Sequence, residues 1–237
     1  MLQKLAEQGS IKSQAHIGLC YFYGRGVARD YNVAIYWFEK AANGDDANAQ
    51  HALAECYYYG VGLEKDYEQA FMWYYRAAKN GNIKSICKVA NCYQNGIGIN
   101  KDESLAVYFF RKAAYAGHSI AAYNLGLCYY QGVGIQLDEA EAVRWFIKAA
   151  IEGVMAAQYI LGNCYECGTG VNINPKEAFH WYMLSAEQGY TKAQYSVGVC
   201  YFCGIGVEPD TQIAKKWLVI AADKRFFAAK NFLNNNY

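Results

Sequence analysis

Ser85-Ile86-Cys87-Lys88 has the S-x-x-K spacing of the serine nucleophile in penicillin-recognising enzymes. Cys164 with Cys167, and Cys200 with Cys203, each read C-x-x-C, a spacing that serves zinc binding or thiol redox chemistry. Paired glycines such as Gly132 and Gly134 could be taken for a phosphate cradle. None of these patterns is completed by the residues around it. No K-T-G follows Ser85, and Ser85 falls at a slot that Ala49 and Ala121 fill elsewhere. Cys164 and Cys200 belong to a longer ladder of cysteines, while Cys167 and Cys203 stand where Tyr23 and Tyr59 stand earlier. Thiols spread over two stacked helices would not meet around one tetrahedral ion with S–Zn near 2.3 Å. The glycine turns follow no strand and carry no phosphate-binding lysine. His16, His51, His118 and His180 share no common position and have no ligand spacing near them. No catalytic, cofactor or metal set emerges, and no cofactor is expected. A β-lactamase-like hydrolase acting through Ser85 or a thiol is the less favoured alternative to a non-enzymatic chain.

What positions these residues is a repeat. GLCYFYGRGV at Gly18–Val27 returns as AECYYYGVGL, ANCYQNGIGI, GLCYYQGVGI, GNCYECGTGV and GVCYFCGIGV. The shared cysteine falls at Cys20, Cys56, Cys92, Cys128, Cys164 and Cys200, a constant spacing of 36 residues. A fixed period in this range marks a stacked-repeat architecture. Equivalent helices of neighbouring repeats lie roughly 8–10 Å apart, beyond the roughly 4.4–6.8 Å that a disulfide allows between Cα atoms. The ladder is therefore a set of free thiols, which suits a reducing compartment. A cytoplasmic location is expected, unless a signal outside this stretch directs the chain to a lumen or out of the cell.

Within one unit, Ala121, Leu125 and Tyr129 recur at i, i+4 and i+8, the stripe of an amphipathic helix. Gly126 is small where another helix must come close. Gly132 and Gly134 supply the positive φ that a helix exit and sharp turn require. Asp138 then opens a second helix whose apolar face is Ala142, Trp145, Phe146 and Ala149, with Lys148 near its C-terminal end. Asp138 with Glu141, and Asp66 with Gln69, read as capping boxes. Asn174 is followed by Pro175 at the first helical position, and Asp30, Asp102 and Asp210 cap alone. Each unit is thus a helix–turn–helix hairpin, first helix A and then helix B.

The chain is accordingly read as all-α, an α-solenoid of six helix–turn–helix repeats with partial repeats at both ends, forming a single domain. The repeats span 10–45, 46–81, 82–117, 118–153, 154–189 and 190–225. Residues 1–9 match the end of a preceding repeat, and residues 226–237 a C-terminal capping helix. Lysine plus arginine number 22 against 21 aspartate plus glutamate, so no charge excess selects nucleic acid or an anionic surface. No apolar run reaches the 18 or so residues of a membrane-spanning helix, and membrane insertion is not expected.

The residues Ala121, Leu125, Gly126, Tyr129, Gly132, Gly134, Asp138, Ala142, Trp145, Phe146, Lys148, Ala149, Ala150 and Gly153 carry a pattern that resembles the Sel-one-like repeats, relatives of the tetratricopeptide repeats. The resemblance covers six consecutive units. It implies a right-handed α-solenoid, a superhelix whose A helices line a concave face, and an adaptor or scaffold role. Some secreted bacterial members pair cysteines between the two helices of a repeat; here helix B contains none. Ala54 and Asn174 depart from the pattern. Leu184 and Ile220 stand where Lys40, Arg76, Lys112 and Lys148 stand earlier, offering a small apolar patch for another domain or for self-association.

Aligned on Leu53 and Tyr57, the tetratricopeptide pattern places inner-face slots at Asn48, His51, Glu55, Tyr58 and Tyr59, and then every 36 residues. The partner-binding residues this implies are Phe22 and Tyr23 in the first repeat and His51, Glu55, Tyr58 and Tyr59 in the second. The third repeat contributes Lys84, Asn91, Gln94 and Asn95; the fourth, Tyr123, Tyr130 and Gln131. The fifth adds Tyr159, Asn163 and Glu166, and the sixth Lys192, Tyr195 and Phe202. These slots vary between repeats while the core positions hold, as a surface addressed to one partner should. Their charges are mixed, so no simple acidic or basic motif is indicated. The expected function is to hold a segment of another protein in the groove. The alternative is a spacer or interaction region of a longer signalling or quality-control protein.

Overall fold

The computed structural model describes residues 2–236; Met1 and Tyr237, the outermost residues of the two terminal segments, lie outside the described residues. It divides into two compact units, residues 1–118 and 119–237. Unit 1 contains α1 (Leu2–Glu7), α2 (Ile11–Tyr23), α3 (Tyr31–Asn43), α4 (Ala47–Tyr59), α5 (Tyr67–Lys79), α6 (Ile83–Asn95) and α7 (Glu103–Tyr115). Unit 2 contains α8 (Ser119–Gln131), α9 (Glu139–Ile151), α10 (Met155–Cys167), α11 (Pro175–Glu187), α12 (Thr191–Cys203), α13 (Thr211–Asp223) and α14 (Phe227–Asn236). There is no strand among the described residues. Within each unit every helix packs on the next in sequence, the stacked-hairpin arrangement of an α-solenoid.

The helices start and stop where the side chains dictate. Asp30, Asp66, Asp102, Asp138, Asn174 and Asp210 each accept a hydrogen bond from a backbone N–H in the first turn of helix B. The return arm of the expected capping boxes is not made. The N–H of Asp138 donates instead to the carbonyl of Tyr129 at 3.0 Å, and Asp66 to Tyr57 at 3.0 Å, closing the hairpin. That frees the side chain of Glu141, which accepts from the indole of Trp145 at 3.0 Å and from Arg144 at 3.2 Å.

Helix A ends on a left-handed glycine whose N–H donates to the carbonyl of the ladder cysteine four residues back, as Gly60 does to Cys56. The next N–H, that of Val61, donates to the same carbonyl at 3.0 Å. Gly98, the second glycine of its turn, serves a different purpose. A Cβ on Gly98 would overlap the carbonyl of Tyr67, so the turn of one repeat rests on the start of helix B of the repeat before it.

The core is built from small residues against large ones. Ala34, Ala70, Ala106, Ala142, Ala178 and Ala214 are closed to solvent, as are Phe38, Tyr74, Phe110, Phe146, Tyr182 and Leu218 at the matching position of each helix B. A Cβ on Gly126 would come within 2.6 Å of the Phe146 ring, so glycine there is what lets the two helices approach. A buried glutamine recurs at Gln14, Gln50, Gln158 and Gln194, and its amide donates to the carbonyls of Ala6, Ala42, Ala150 and Ala186. Each such bond ties the start of helix A to the end of the preceding helix B. Nothing in the repeat pattern had marked these glutamines as internal.

Candidate functional site

The first helices of unit 1 surround a concavity of about 560 Å³, bordered by Leu19, Phe22, Tyr23, Phe38, Asn48, His51, Ala52, Glu55, Tyr59, Val61, Gly81, Asn82, Ile83 and Lys84. Six of the residues expected to bind a partner, Phe22, Tyr23, His51, Glu55, Tyr59 and Lys84, thus meet around one space. They come from α2, α4 and α6, which stack so that equivalent slots fall side by side. Phe38, closed to solvent, contributes from helix α3. Tyr23 and Tyr59 stand 59% and 56% exposed, each edge-on to the ring before it, Phe22 or Tyr58.

The polar residues of this face form two linked groups. The hydroxyl of Tyr74 donates to Glu55, whose carboxylate lies 2.9 Å from the ammonium of Lys88. Lys88 also lies over the rings of Tyr58, Tyr59 and Tyr74, at 5.5, 5.7 and 5.7 Å from their centroids. Burial alone would raise the Glu55 pKa; the Tyr74 hydrogen bond and Lys88 outweigh it and hold the carboxyl below its usual value. Beside this group, His51 Nδ1 lies 2.8 Å from the hydroxyl of Ser85. Burial first, and then Lys88 and Lys84, hold the His51 imidazole below its usual pKa against the opposing pull of Glu55.

The S-x-x-K spacing therefore has a structural use. Ser85 has no exposed surface and is bonded to His51, and Lys88 is engaged by Glu55. A nucleophile must be reached by its substrate, and Ser85 is not. The C-x-x-C pairs split in the same way. Cys164 and Cys200 are buried while Cys167 and Cys203 are exposed. Burial pushes Cys164 up to about 11 and Cys200 up to about 12. None of the nine cysteines is in a disulfide, and the described residues contain no group of three or more histidine, cysteine, aspartate or glutamate side chains placed to hold a metal.

The remaining expected contact residues have mixed settings. In unit 1, Asn91 and Gln94 are half-buried and Asn95, exposed, bonds the Asn91 carbonyl at 2.9 Å. In unit 2, Tyr130 and Gln131 are exposed and Tyr123 is half-buried against Phe146. Tyr159 packs on Tyr182 and Tyr190, and Tyr195 on Phe226 and Phe232. Phe202 also meets Phe232, edge-on at 5.1 Å, so the last helix uses part of this face. The hydroxyl of Tyr182 lies 2.5 Å from Glu166 and 2.6 Å from Asn163. Lys192 is exposed. Leu184 is half-buried and Ile220 is 41% exposed.

A helical hairpin copied with one spacing, and closed by the same caps and glycines each time, defines a helical-repeat protein. The Sel1 repeat profile matches residues 11–46, 47–82, 83–118, 119–154, 156–190 and 191–225. The chain belongs to the Sel1 repeat family. Members of that family are generally protein-interaction scaffolds and generally not enzymes.

The chain is similar to a protective antigen of uropathogenic Escherichia coli strains that displays an SLR fold, at 30% identity and a TM-score of 0.92. That match covers 100% of this chain and 51% of the antigen, so the chain spans about half its length. It is also similar to a Sel1 repeat protein from Oxalobacter formigenes, at 32% identity, TM-score 0.82, over 90% of this chain and 86% of that one. An immunity protein from Pseudomonas aeruginosa, 20% identical over 90% of this chain and 81% of its own, shares the fold with a TM-score of 0.52. No curated protein matches the chain. Among the described residues no helix is long and apolar enough to cross a membrane.

Proposed function

We propose that this protein is a non-catalytic scaffold that holds a segment of another protein against the A helices, with unit 1 supplying the principal seat. One observation carries the reading. Six of the slots that vary between repeats, Phe22, Tyr23, His51, Glu55, Tyr59 and Lys84, meet in unit 1 around a single space of about 560 Å³. That size suits a few side chains of an extended segment. Tyr23 and Tyr59 offer broad contact area with little rotamer entropy to lose, and the amide nitrogen of Asn48, whose oxygen already accepts from Asn82 at 3.0 Å, can donate to a peptide backbone.

The test is affinity capture with the wild-type chain and with Tyr23→Ala/Tyr59→Ala, read by quantitative mass spectrometry. Both tyrosines are more than half exposed, so helicity by circular dichroism should be unchanged. A protein retained by the wild type and depleted about ten-fold by the double variant is the expected result. Equal recovery by both chains would remove the concavity from the account. Tyr159 and Tyr195 are poorer choices, since each packs against two other rings.

A further inference from the structure

This inference rests on the scaffold reading and specifies the chemistry of the segment held. As residue types, the charges at the inner slots balance, with Lys84 and Lys192 against Glu55 and Glu166. As a structure they do not. Glu55 is engaged by Lys88 and Tyr74, and Glu166 accepts from Tyr182. Lys84, by contrast, is exposed on the border of the concavity. Lys84 is in none of the ion pairs Lys88–Glu55, Lys101–Glu103 and Arg144–Glu141. Burial is the main cause that disfavours protonation of His51 and His118, and the Lys84 charge adds to it at both. The charge left over at this space is therefore positive, and the surfaces beside it are apolar: Leu19 and Ile83, 37% and 39% exposed.

We propose that the concavity of unit 1 takes an extended segment of another protein that carries a bulky apolar side chain and, close to it in sequence, an aspartate or glutamate whose carboxylate pairs with Lys84. Desolvating an ammonium without a counter-charge disfavours a neutral or basic segment, and complementary charge supplies selection more than raw affinity. Glu55 does not reverse that preference, because Lys88 already neutralises it.

The experiment is selection of a random octapeptide library, acetylated and amidated at its ends, on the full chain, followed by titration of the selected peptides against variants. The expected result is enrichment of an apolar residue with a nearby aspartate or glutamate. Affinity should fall about ten-fold with Lys84→Glu, less with Lys84→Gln, and with added salt. Helicity of both variants should match the wild type, Lys84 being exposed. Enriched peptides that lack acidic residues, or that bind Lys84→Glu unchanged, overturn the proposal; if they still depend on Tyr23 and Tyr59, the scaffold reading survives. Enrichment only in a companion library with free C-termini, or a dimer of the chain that competes with the peptides, also overturns it. No tyrosine-dependent enrichment in any library overturns both readings.

Discussion

The hydroxyl of Tyr74 on α5 donates to the carboxylate of Glu55 on α4, and this contact fixes what the inner face of unit 1 offers a ligand. Tyr74 occupies a position that Phe38, Phe110 and Phe146 fill with a plain ring. A buried phenol needs an acceptor, and Glu55 supplies it from the neighbouring helix. Lys88 then joins the carboxylate from α6, tying three helices by one polar cluster. In unit 2 the same exchange recurs, Tyr182 being satisfied by Glu166 and Asn163.

The cluster makes stability depend on acid. Burial favours the neutral form of Glu55, but the Tyr74 bond and Lys88 win, so its folded pKa lies below the unfolded value of about 4.3. A carboxyl depressed in this way contributes stability above the unfolded pKa, and the contribution is lost as pH falls from there through the folded pKa. Tyr74→Phe keeps the ring and removes the donor. It should lower stability by about 1 kcal/mol at neutral pH and reduce the further loss on acidification. Urea unfolding of both chains at neutral and acid pH gives the comparison; a difference independent of pH would contradict the pairing.

Gly26 and Gly98 hold equivalent turn positions with φ of 74° and 67°. Nothing lies within 4 Å of a Cβ built on Gly26, whereas one on Gly98 meets the Tyr67 backbone. Gly26→Ala should cost about 1–2 kcal/mol, the left-handed penalty alone. Gly98→Ala should cost about 2 kcal/mol more, because the turn must lift off the repeat before it. Equal midpoints in thermal melts would show that the turns do not bear on one another.

Arg225 sits at φ 64°, where Gly81, Gly117, Gly153 and Gly189 stand in other repeats. Arg225→Gly should therefore stabilise the chain by about 0.5–1 kcal/mol, the relief of strain exceeding the added chain entropy. Asp45, at φ 63°, should gain less from the same change, since its carboxylate accepts from Gln50 and Asn80. Denaturant midpoints of the two variants test the order.

Thiol chemistry separates the two halves of each C-x-x-C. Cys167 and Cys203 should react rapidly with a disulfide reagent in the native chain. Half-buried Cys20 should follow slowly, and Cys56, Cys87, Cys92, Cys128, Cys164 and Cys200 only in denaturant. Burial pushes Cys56 up to about 12 and Cys87 and Cys92 up to about 11, far from the thiolate at neutral pH. Modification of Cys164 in step with Cys167, mapped by peptide mass, would contradict this division.

The hairpins were legible because each rule acts within one repeat: the cap at Asp138, the exit at Gly132, the small residue at Gly126. What escaped was chemistry acting between repeats. Lys88 was read only as part of a local S-x-x-K, so its reach to Glu55 across 33 residues went unseen and the groove's charges looked mixed. A signal existed, since tyrosine replaces phenylalanine at position 74 in the repeat that also carries Glu55. Gln14, Gln50, Gln158 and Gln194 share one slot too, but a polar residue in an amphipathic helix reads as surface until its backbone partner is seen. The expected capping box failed for a similar reason: the N–H of Asp138 was claimed by Tyr129 from the preceding helix.

The central claim is that the inner face of unit 1, and not its outer helices, meets the partner. Site-specific photo-crosslinking addresses it directly, with a benzophenone side chain placed at Tyr59 beside the concavity or at Tyr108, 58% exposed on α7. The account predicts a protein adduct from position 59 that is lost when Tyr23 is also replaced by alanine, and none from position 108. An adduct from position 108 with none from 59 would contradict it.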